Sequence, residues 1–549
     1  MKKISKNYIV KAFSALFLVA VAACSDKEVL DLQPAASLSD KSAFATPSTI
    51  ELTVVGVYDA AQSGFYAGGQ IRGYPFGAAH VQQGDNRGED VISTQGFYGI
   101  TYDGAYDPTT QNNDFMWQTL YGLINKANVV LDGLDKATLG GPLTQTVVDQ
   151  YKGEMYFLRA LAHHELLKHF ARPFSDNPTV ARGGVVNRIT AVADGASADL
   201  AGQLGRNTVR EGYDLILTDL NLAETNLPVT RSNASLRISR ATKAAAVALK
   251  TRVYLHMNDW ANVIIEGNKL AAGSSVPFAP NPAFGSYSLT ASPLGPFTAA
   301  GSKNNPESIF SIENNDVDNA GVNGALPTMY NVSKAPVNGR GLVCISPILW
   351  NRPWFLDGDL RKGVAMVDDD GPGPGRVAKF TRKYSDAVAR TDNAPVIRYA
   401  EVLLNMAEAI QRQAGAPDAR ALELLNAVRN RSVTTVPDRF TIASFATSND
   451  LITAVLQERR IEFVCEGLRW SDIHRLAQDA TFGTGGIPLK ANRTVTNWST
   501  FYRTPTNPAP AVFSTQAAIP YSDRRFLWPI PASETNVNPV LASQQNPGY

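Results

Sequence analysis

Amphipathic helical patterns recur along this sequence in two separate blocks, and they restrict the chain to a mainly helical fold. Apolar residues in these blocks return every three to four positions, as Met116, Leu120, Leu123 and Ile124 do. Such a helix buries one face against a neighbour and leaves the other in water. The predicted helices are residues 115–134, 148–170, 213–227, 242–256 and a segment from 260 in the first block, and 397–413, 420–430, 450–465 and 468–477 in the second.

Alanine recurs on several of these helices at positions that suit close helix pairing. Repeated helix pairs of this kind are typical of tetratricopeptide arrays, although no exact 34-residue repeat can be read here. One pair is predicted in detail: Tyr399, Leu403 and Ala407 should be buried against Leu422 and Leu425 of an antiparallel partner. We therefore expect a mainly α fold, in which tetratricopeptide-like helix pairs form a frame.

Long segments rich in Gly, Pro and Asn separate the helical blocks. They cover residues 64–113, 273–394 and 483–524. Short apolar runs inside them, such as 308–312, predict a few short strands. Binding residues are often carried by loops that a rigid frame positions, so these irregular segments are where we expect the ligand.

The N-terminus has the pattern of an export signal. Residues 1–11 are basic, and residues 12–23 are apolar except for Ser14, which is too short a stretch to span a membrane as a helix. Small residues precede Cys24, as in the lipobox of bacterial lipoproteins. The sequence predicts a signal peptide over 1–23, acylation of Cys24 and a polar tether over 24–40; an ordinary signal with a chance cysteine is the alternative.

Charge and cysteine content exclude several classes of function. Removal of the signal takes away Lys2, Lys3, Lys6 and Lys11, which leaves 47 basic against 50 acidic residues and a net charge of −3. A nucleic-acid partner is therefore not expected, because such proteins carry a basic footprint. Three cysteines in 549 residues are too few for a disulfide scaffold or a Cys-rich zinc site.

Motifs that carry catalytic chemistry are incomplete in this sequence. His164 and His169 stand five apart, whereas a helical zinc-protease motif needs its histidines four apart on one face. Glu458, Glu462 and Glu466 recur at four-residue spacing, and paired carboxylates can hydrolyse glycosides. They alternate with arginines along one helix, which favours structural ion pairs. We expect no catalytic residue, no metal site and no cofactor.

Several phrases of the sequence together resemble the SusD/RagB family. Residues 527–531 read Leu-Trp-Pro-Ile-Pro, and the chain ends in Asn-Pro-Gly-Tyr. Residues 458–462 read Glu-Arg-Arg-Ile-Glu and are followed by Glu-Gly-Leu-Arg-Trp-Ser-Asp over 466–472. Residues 398–404 read Arg-Tyr-Ala-Glu-Val-Leu-Leu, and motifs of the N-terminal half agree. The resemblance covers essentially the whole mature chain.

This resemblance implies a role as well as a fold. Members of the family are surface lipoproteins of the outer membrane that capture an oligosaccharide, sometimes a peptide, and deliver it to a SusC-like TonB-dependent transporter. It further implies that Trp528 and Pro529 lock the C-terminal tail onto the helices, that Arg398 pairs with a carboxylate, and that 41–272 and 273–549 are halves of one unit. An outer-membrane glycoside hydrolase and a helical-repeat adaptor for proteins stay open as alternatives.

The ligand site is predicted from aromatic residues in the irregular segments. Sugars present a weakly polar C–H face and a rim of hydroxyls, so a glycan site needs aromatic platforms beside Asp, Asn and Arg. In the family, the N-terminal loop and the central region commonly contribute to the ligand face. Five aromatics are candidates, namely Tyr74, Tyr98, Tyr102, Trp350 and Trp354, and we expect at least two of them to be partly exposed on one face. The alternative is that these rings only pack the loops onto the frame. The candidate residues are Tyr74, Asp85, Asn86, Arg87, Tyr98, Tyr102, Trp350 and Trp354.

Overall fold

Helices carry most of the regular structure of this protein. A computed structural model describes residues 40–64, 70–94, 96–369 and 377–549. The predicted signal peptide and Cys24, with the tether up to residue 39, lie outside the described residues and stay predictions. The helices are α1 Asp40–Ala43, α2 Pro47–Gln62, α3 Ala78–Asp85, α4 Gly96–Asp103, α5 Gln111–Lys136, α6 Gln145–Phe170, α7 Gly195–Ala201, α8 Val209–Asn226, α9 Ala234–Ser239, α10 Lys243–His256, α11 Trp260–Asn268, α12 Gly321–Gly324, α13 Leu326–Tyr330, α14 Pro347–Trp350, α15 Tyr399–Gln413, α16 Ala419–Arg429, α17 Ser448–Glu462, α18 Arg469–Arg475, α19 Ala532–Thr535 and α20 Pro539–Ala542.

The long helices form a continuous packed series. Helix α5 packs against α6, α6 against α8, α8 against α10, α10 against α11, α11 against α15, and α15 against α16 and α17. Polar caps fix several starts: the Thr208 side chain accepts the N–H of Glu211, and the Glu211 carboxylate accepts the N–H of Thr208. The predicted mainly helical frame is confirmed.

The strands are short and lie on this frame. Each strand of the described residues pairs antiparallel with a single partner: β1 with β3, β2 with β6, β4 with β5, β7 with β10 and β8 with β9. The predicted strand at 308–312 is β2. The strands are β1 Val91–Ser93, β2 Ser308–Ile312, β3 Val343–Ile345, β4 Val367–Asp369, β5 Lys379–Thr381, β6 Ala394–Arg398, β7 Gly486–Ile487, β8 Lys490–Ala491, β9 Thr515–Gln516 and β10 Ile519–Pro520.

Two predicted helix boundaries are wrong for local reasons. The helix predicted from residue 397 begins at Tyr399, because the residues before it pair as β6 with β2. The helix predicted to reach residue 465 ends at Glu462, and Cys465 has a φ of 66°, which a right-handed helix cannot contain.

Residues 64–113, predicted to be irregular, contain helices α3 and α4 and strand β1. Every residue of α3 is buried. Its polar residues, such as Gln82 and Gln83, are buried together with its apolar ones, so it shows no amphipathic period for sequence reasoning to detect.

The predicted pairing of α15 with α16 is confirmed. Tyr399, Leu403 and Ala407 are buried, as are Leu422 and Leu425 on the partner helix, and the two helices pack together.

The contacts of the chain divide it between residues 53 and 54, inside α2. In the smaller unit, the Thr53 side chain donates to the carbonyl of Ala43 at 3.4 Å. Residues 54–549 form the larger unit, which holds the helical series and all the described strands.

Candidate functional site

The three tyrosines predicted for the ligand face lie in the interior. Tyr74, Tyr98 and Tyr102 are buried. The Tyr98 hydroxyl donates to the carbonyl of Arg72 at 3.1 Å, and the Tyr102 hydroxyl donates to the carbonyl of Ala491 at 2.7 Å. A backbone carbonyl gives each of these hydroxyls an internal partner, so burial leaves no hydrogen bond unmade. None of these three contributes to the expected pair of partly exposed aromatics.

The polar residues predicted beside them are also buried. Asp85 ends α3 and accepts hydrogen bonds from the Tyr330 hydroxyl and the Gly467 N–H, each at 3.0 Å. Burial raises the pKa of Asp85 to about 8. The Asn86 amide donates to the carbonyl of Tyr98 at 3.1 Å. Asp85 therefore joins the N-terminal loop to the C-terminal half, whereas the Asn86 side chain bonds within the loop. Neither side chain offers surface to a ligand.

Arg87 completes this junction with the C-terminal tail. Its guanidinium carbon lies 3.4 Å from the Trp470 ring centroid and 5.4 Å from that of Trp528, and it donates to the Phe526 carbonyl. Burial lowers the pKa of Arg87 to about 10. Trp528 stacks on His169 with centroids 4.5 Å apart. The expectation that Trp528 locks the tail onto the helices is confirmed.

The two tryptophans predicted in the central region differ in role. Trp350 is buried, and its indole N–H donates to the Arg503 carbonyl at 2.9 Å. Trp354 is half-buried. Trp354 is therefore the single partly exposed member of the five predicted aromatics, and the expectation of at least two is wrong. Ligand contact by the predicted residues stays a prediction, for which only Trp354 has surface to offer.

Trp354 borders a cavity of about 310 Å³, which we call the Trp354 cleft. Two half-buried aromatic rings, Trp354 and Phe482, line it together with the outer face of α17 and part of α18. The Arg460 guanidinium lies 5.4 Å from the Trp354 ring centroid. The lining residues are Arg352, Trp354, Thr453, Leu456, Gln457, Arg460, Arg469, Asp472, Ile473, Leu476, Thr481, Phe482 and Thr484.

Most charged residues that line the Trp354 cleft form ion pairs with residues outside its lining. Arg460 and Arg469 both bind Glu89, at 2.9 and 2.8 Å, and both also contact Asp90. Burial opposes ionisation of Glu89, but the two arginines overcome it and lower its pKa to about 2. Arg352 is exposed and has no ion-pair partner among the described residues. The cleft thus presents one cation without a counter-ion.

A second candidate surface lies where the N-terminal loop meets the central region; we call it the Arg72 surface. The Arg72 guanidinium carbon lies 5.5 Å from the centroid of the half-buried Phe97 ring. The exposed Arg340 donates to the Asn323 side-chain oxygen at 2.7 Å.

Two glycines bring the parts of the Arg72 surface together. The Gly73 and Gly324 backbones touch: a Cβ on Gly73 would lie 2.4 Å from the Gly324 carbonyl oxygen, and Gly73 has a φ of 73°. Only glycine permits both the close approach and this φ. The contact also brings the Arg72 backbone against Gly324, the residue that follows Asn323.

Sequence reasoning missed Phe97, although it named its neighbour Tyr98. Both lie on α4, where Tyr98 and Tyr102 are four residues apart and share the buried face. Phe97 is displaced from that face by one residue, about 100° around a helix. The helical period of this segment, had it been recognised, would have separated the buried rings from the surface ring.

The carboxylates that could have suggested glycoside hydrolysis are held in buried ion pairs. Glu458 binds Arg361 at 2.5 Å, and Glu462 binds Arg398 at 3.0 Å. Glu466 also binds Arg398, at 2.8 Å. Opposing the effect of burial, the surrounding cations lower the pKa of Glu462. The interpretation of these carboxylates as structural, and the expected pairing of Arg398, are both confirmed.

The near-match to a zinc-protease motif lies inside the frame. His164 and His169 are buried, and burial lowers the pKa of each. Within the described ranges, no cluster of three or more His, Cys, Asp or Glu residues is arranged to hold a metal ion. In those same ranges, no helix combines the length and the apolar character needed to cross a membrane.

Comparison with known families gives two matches that together span most of the chain. A model described as "SusD family" matches residues 370–549. A second, described as "Starch-binding associating with outer membrane", matches residues 30–255.

Individual relatives agree with these matches. SusD-like protein P38 of Formosa agariphila is 24% identical over 509 residues, which are 86% of this chain and 92% of the relative. The crystal structure of a SusD superfamily protein from Bacteroides fragilis superposes with a TM-score of 0.71 at 28% identity, over 91% of this chain and 99% of that one. Surface glycan-binding protein A from Bacteroides uniformis shares the fold, with a TM-score of 0.66 at 18% identity, over 91% and 99% of the two chains.

Proposed function

Because the chain belongs to the SusD family, we propose that it is a surface lipoprotein of the outer membrane that captures an oligosaccharide and delivers it to a SusC-like TonB-dependent transporter. The name of the glycan-binding neighbour from Bacteroides uniformis supports a carbohydrate ligand over a peptide.

The arrangement of the Arg72 surface is the observation that carries the choice of ligand. A half-buried ring at Phe97 offers an apolar platform for the C–H face of a sugar. Arg72 supplies a donor beside this ring. Across the Gly73–Gly324 contact, Arg340 supplies a second guanidinium and Asn323 an amide. An apolar platform with a few fixed polar groups is the usual composition of a small-molecule site. This surface also combines the N-terminal loop with the central region, as the family resemblance implies.

The buried ion pairs support a binding role without catalysis. Glycoside hydrolysis needs two carboxyl groups that face a cleft, one of them with a raised pKa. Glu458, Glu462 and Glu466 instead face cations in the interior, and the pKa of Glu462 is lowered. The glycosidase alternative therefore lacks its best candidates.

The membrane location rests on the N-terminal pattern and on the family. Acylation of Cys24 would attach the chain to a membrane through several acyl chains, each contributing about 0.8 kcal/mol per buried CH₂. The polar residues that follow would let the folded part stand clear of the lipid and reach a transporter.

A glycan array tests the proposal, with the acylated protein purified in detergent. We expect binding to at least one oligosaccharide class, and we expect Phe97→Ala to reduce that binding by about tenfold or more. Phe284→Ala is the matched control, because Phe284 is also half-buried and has Lys269 5.6 Å from its ring centroid. Equal losses in both variants, or binding to peptides alone, would refute the proposed oligosaccharide site.

A further inference from the structure

We propose that the Trp354 cleft is a second ligand site and that it binds an acidic sugar residue, with the sugar ring on Trp354 and its carboxylate at Arg352. This site shares no lining residue with the Arg72 surface. The inference therefore goes beyond the proposed function and does not depend on which surface captures the nutrient.

The turn that carries Arg352 and Trp354 is fixed by hydrogen bonds to the segment 501–503. The Asn351 amide donates to the Phe501 carbonyl at 2.8 Å, and its side-chain oxygen accepts the Arg503 N–H at 2.7 Å. The Trp350 indole N–H donates to the Arg503 carbonyl of the same segment. A ligand that binds this turn has little backbone ordering to impose, which favours affinity.

Trp354 offers a ligand both a ring surface and an indole N–H that can donate a hydrogen bond. Its ring is half-buried and is held beside the Arg460 guanidinium, 5.4 Å from the centroid, a distance at which cation and ring attract. Its indole N–H has no hydrogen-bond partner among the described residues, and neither has the side-chain amide of Gln457 on the same wall. The cleft therefore combines an apolar ring with unused donors.

The charge balance of the cleft selects an anion. Arg460 and Arg469 are satisfied by Glu89 and Asp90. The one acidic lining residue is Asp472. It forms ion pairs, each at 2.9 Å, with Arg459 and Arg475, which do not line the cleft.

Arg352 is thus the lining charge that lacks a counter-ion within the described chain. A guanidinium presents paired N–H groups that match a carboxylate in a bidentate fork.

The size of the cleft restricts the ligand to a short one. Its volume of about 310 Å³ is at the lower end of the range for ligand pockets, roughly 300–1,000 Å³. One sugar unit with a carboxylate at its edge satisfies the ring, the unpaired guanidinium and the volume together. A neutral sugar would leave Arg352 without its anion, and a simple inorganic anion would leave Trp354 without its ring.

Calorimetric titration of the full acylated protein in detergent, with two trisaccharides matched in length, tests this inference. We expect trigalacturonate to bind about tenfold more tightly than galactotriose, which lacks the carboxylates. Arg352→Gln should remove that preference, and Trp354→Ala should weaken the acidic trimer by about tenfold or more. Arg182→Gln, which removes an exposed positive charge outside the cleft, should change neither affinity.

Each other result of the titration decides against the proposal. Equal affinities for the two trisaccharides, or an unchanged preference in Arg352→Gln, would overturn it. So would full competition by inorganic sulfate at the concentration of the trimer, because an ion alone would then suffice. Phe97→Ala distinguishes the two sites. It should leave trigalacturonate binding intact, whether or not the array detects an oligosaccharide at the Arg72 surface.

Discussion

The guanidinium of Arg87 lies against the ring of Trp470, 3.4 Å from its centroid, and thereby joins the N-terminal loop to the second helical block. The contact is buried, and a hydrogen bond to the Phe526 carbonyl extends it to the C-terminal tail. A cation–π pair removed from water in this way is worth about 2 kcal/mol or more.

We expect Arg87→Ala to lower the free energy of unfolding by about 2–5 kcal/mol, because it removes this pair and leaves a cavity. Urea denaturation measures the change, and limited proteolysis should show faster cleavage of residues 526–549. The control is Arg182→Ala at an exposed position, which should unfold like the wild type. A stable Arg87→Ala protein with a protected tail would contradict the role given to this contact.

The α15–α16 pair gives a second test of stability. Leu403 is fully buried, so Leu403→Ala should cost about 2–5 kcal/mol of unfolding free energy. Leu200, with 69% of its surface exposed, is the matched control, and its replacement by Ala should cost far less. Thermal and chemical denaturation compare the two; equal costs would mean that α15 and α16 do not share a packed interface.

The lipid anchor is tested by a single atom change. Cys24→Ser removes the thiol that would be acylated, so the variant should leave the membrane fraction. Fractionation followed by a high-salt wash measures this, because salt releases proteins held only by charge. If the serine variant stays with the membrane after the wash, the lipobox interpretation is wrong.

Acid should destabilise the protein through its buried histidines. All six histidines of the sequence are buried, and burial lowers the pKa of each one. Between about pH 6.5 and pH 4, these histidines bind protons in the unfolded chain but stay neutral in the folded chain. The free energy of unfolding therefore falls as the pH falls through this window. The pKa values are lowered to about 4 for His80, to about 3 for His163 and His474, and below the ordinary range for His164, His169 and His256.

His163→Gln isolates one of these histidines. Because one proton changes the free energy by about 1.4 kcal/mol per pH unit, the variant should lose about 1 kcal/mol less stability than the wild type between pH 6 and pH 5. Asp85 acts in the opposite sense, since its pKa is raised to about 8, but it is common to both proteins and cancels. Urea denaturation at both pH values measures the slopes; identical slopes would show that His163 is protonated in the folded state.

The helical frame could be predicted because its helices are half-buried, and a half-buried helix shows its period in the sequence. Helix α3 could not be predicted in this way, because all of its residues are buried. Tyr98 and Tyr102 could not be distinguished from surface rings, since a tyrosine with a carbonyl partner for its hydroxyl fits the interior as well as the surface. Trp350 and Trp354 stand four residues apart, and only tertiary contacts decide that the first supports the turn and the second faces the cleft.

The backbones of Gly84 and Gly467 meet so closely that a Cβ on Gly84 would lie 2.1 Å from the Gly467 carbonyl oxygen. The segments on either side of this joint belong to different family matches, residues 30–255 and 370–549. The two segments are therefore exchangeable with those of a relative only where glycine stands at position 84. Any side chain there would force the two backbones apart. A substitution in an exposed turn, such as the one around Trp354, meets no comparable restriction, because the side chains there border solvent.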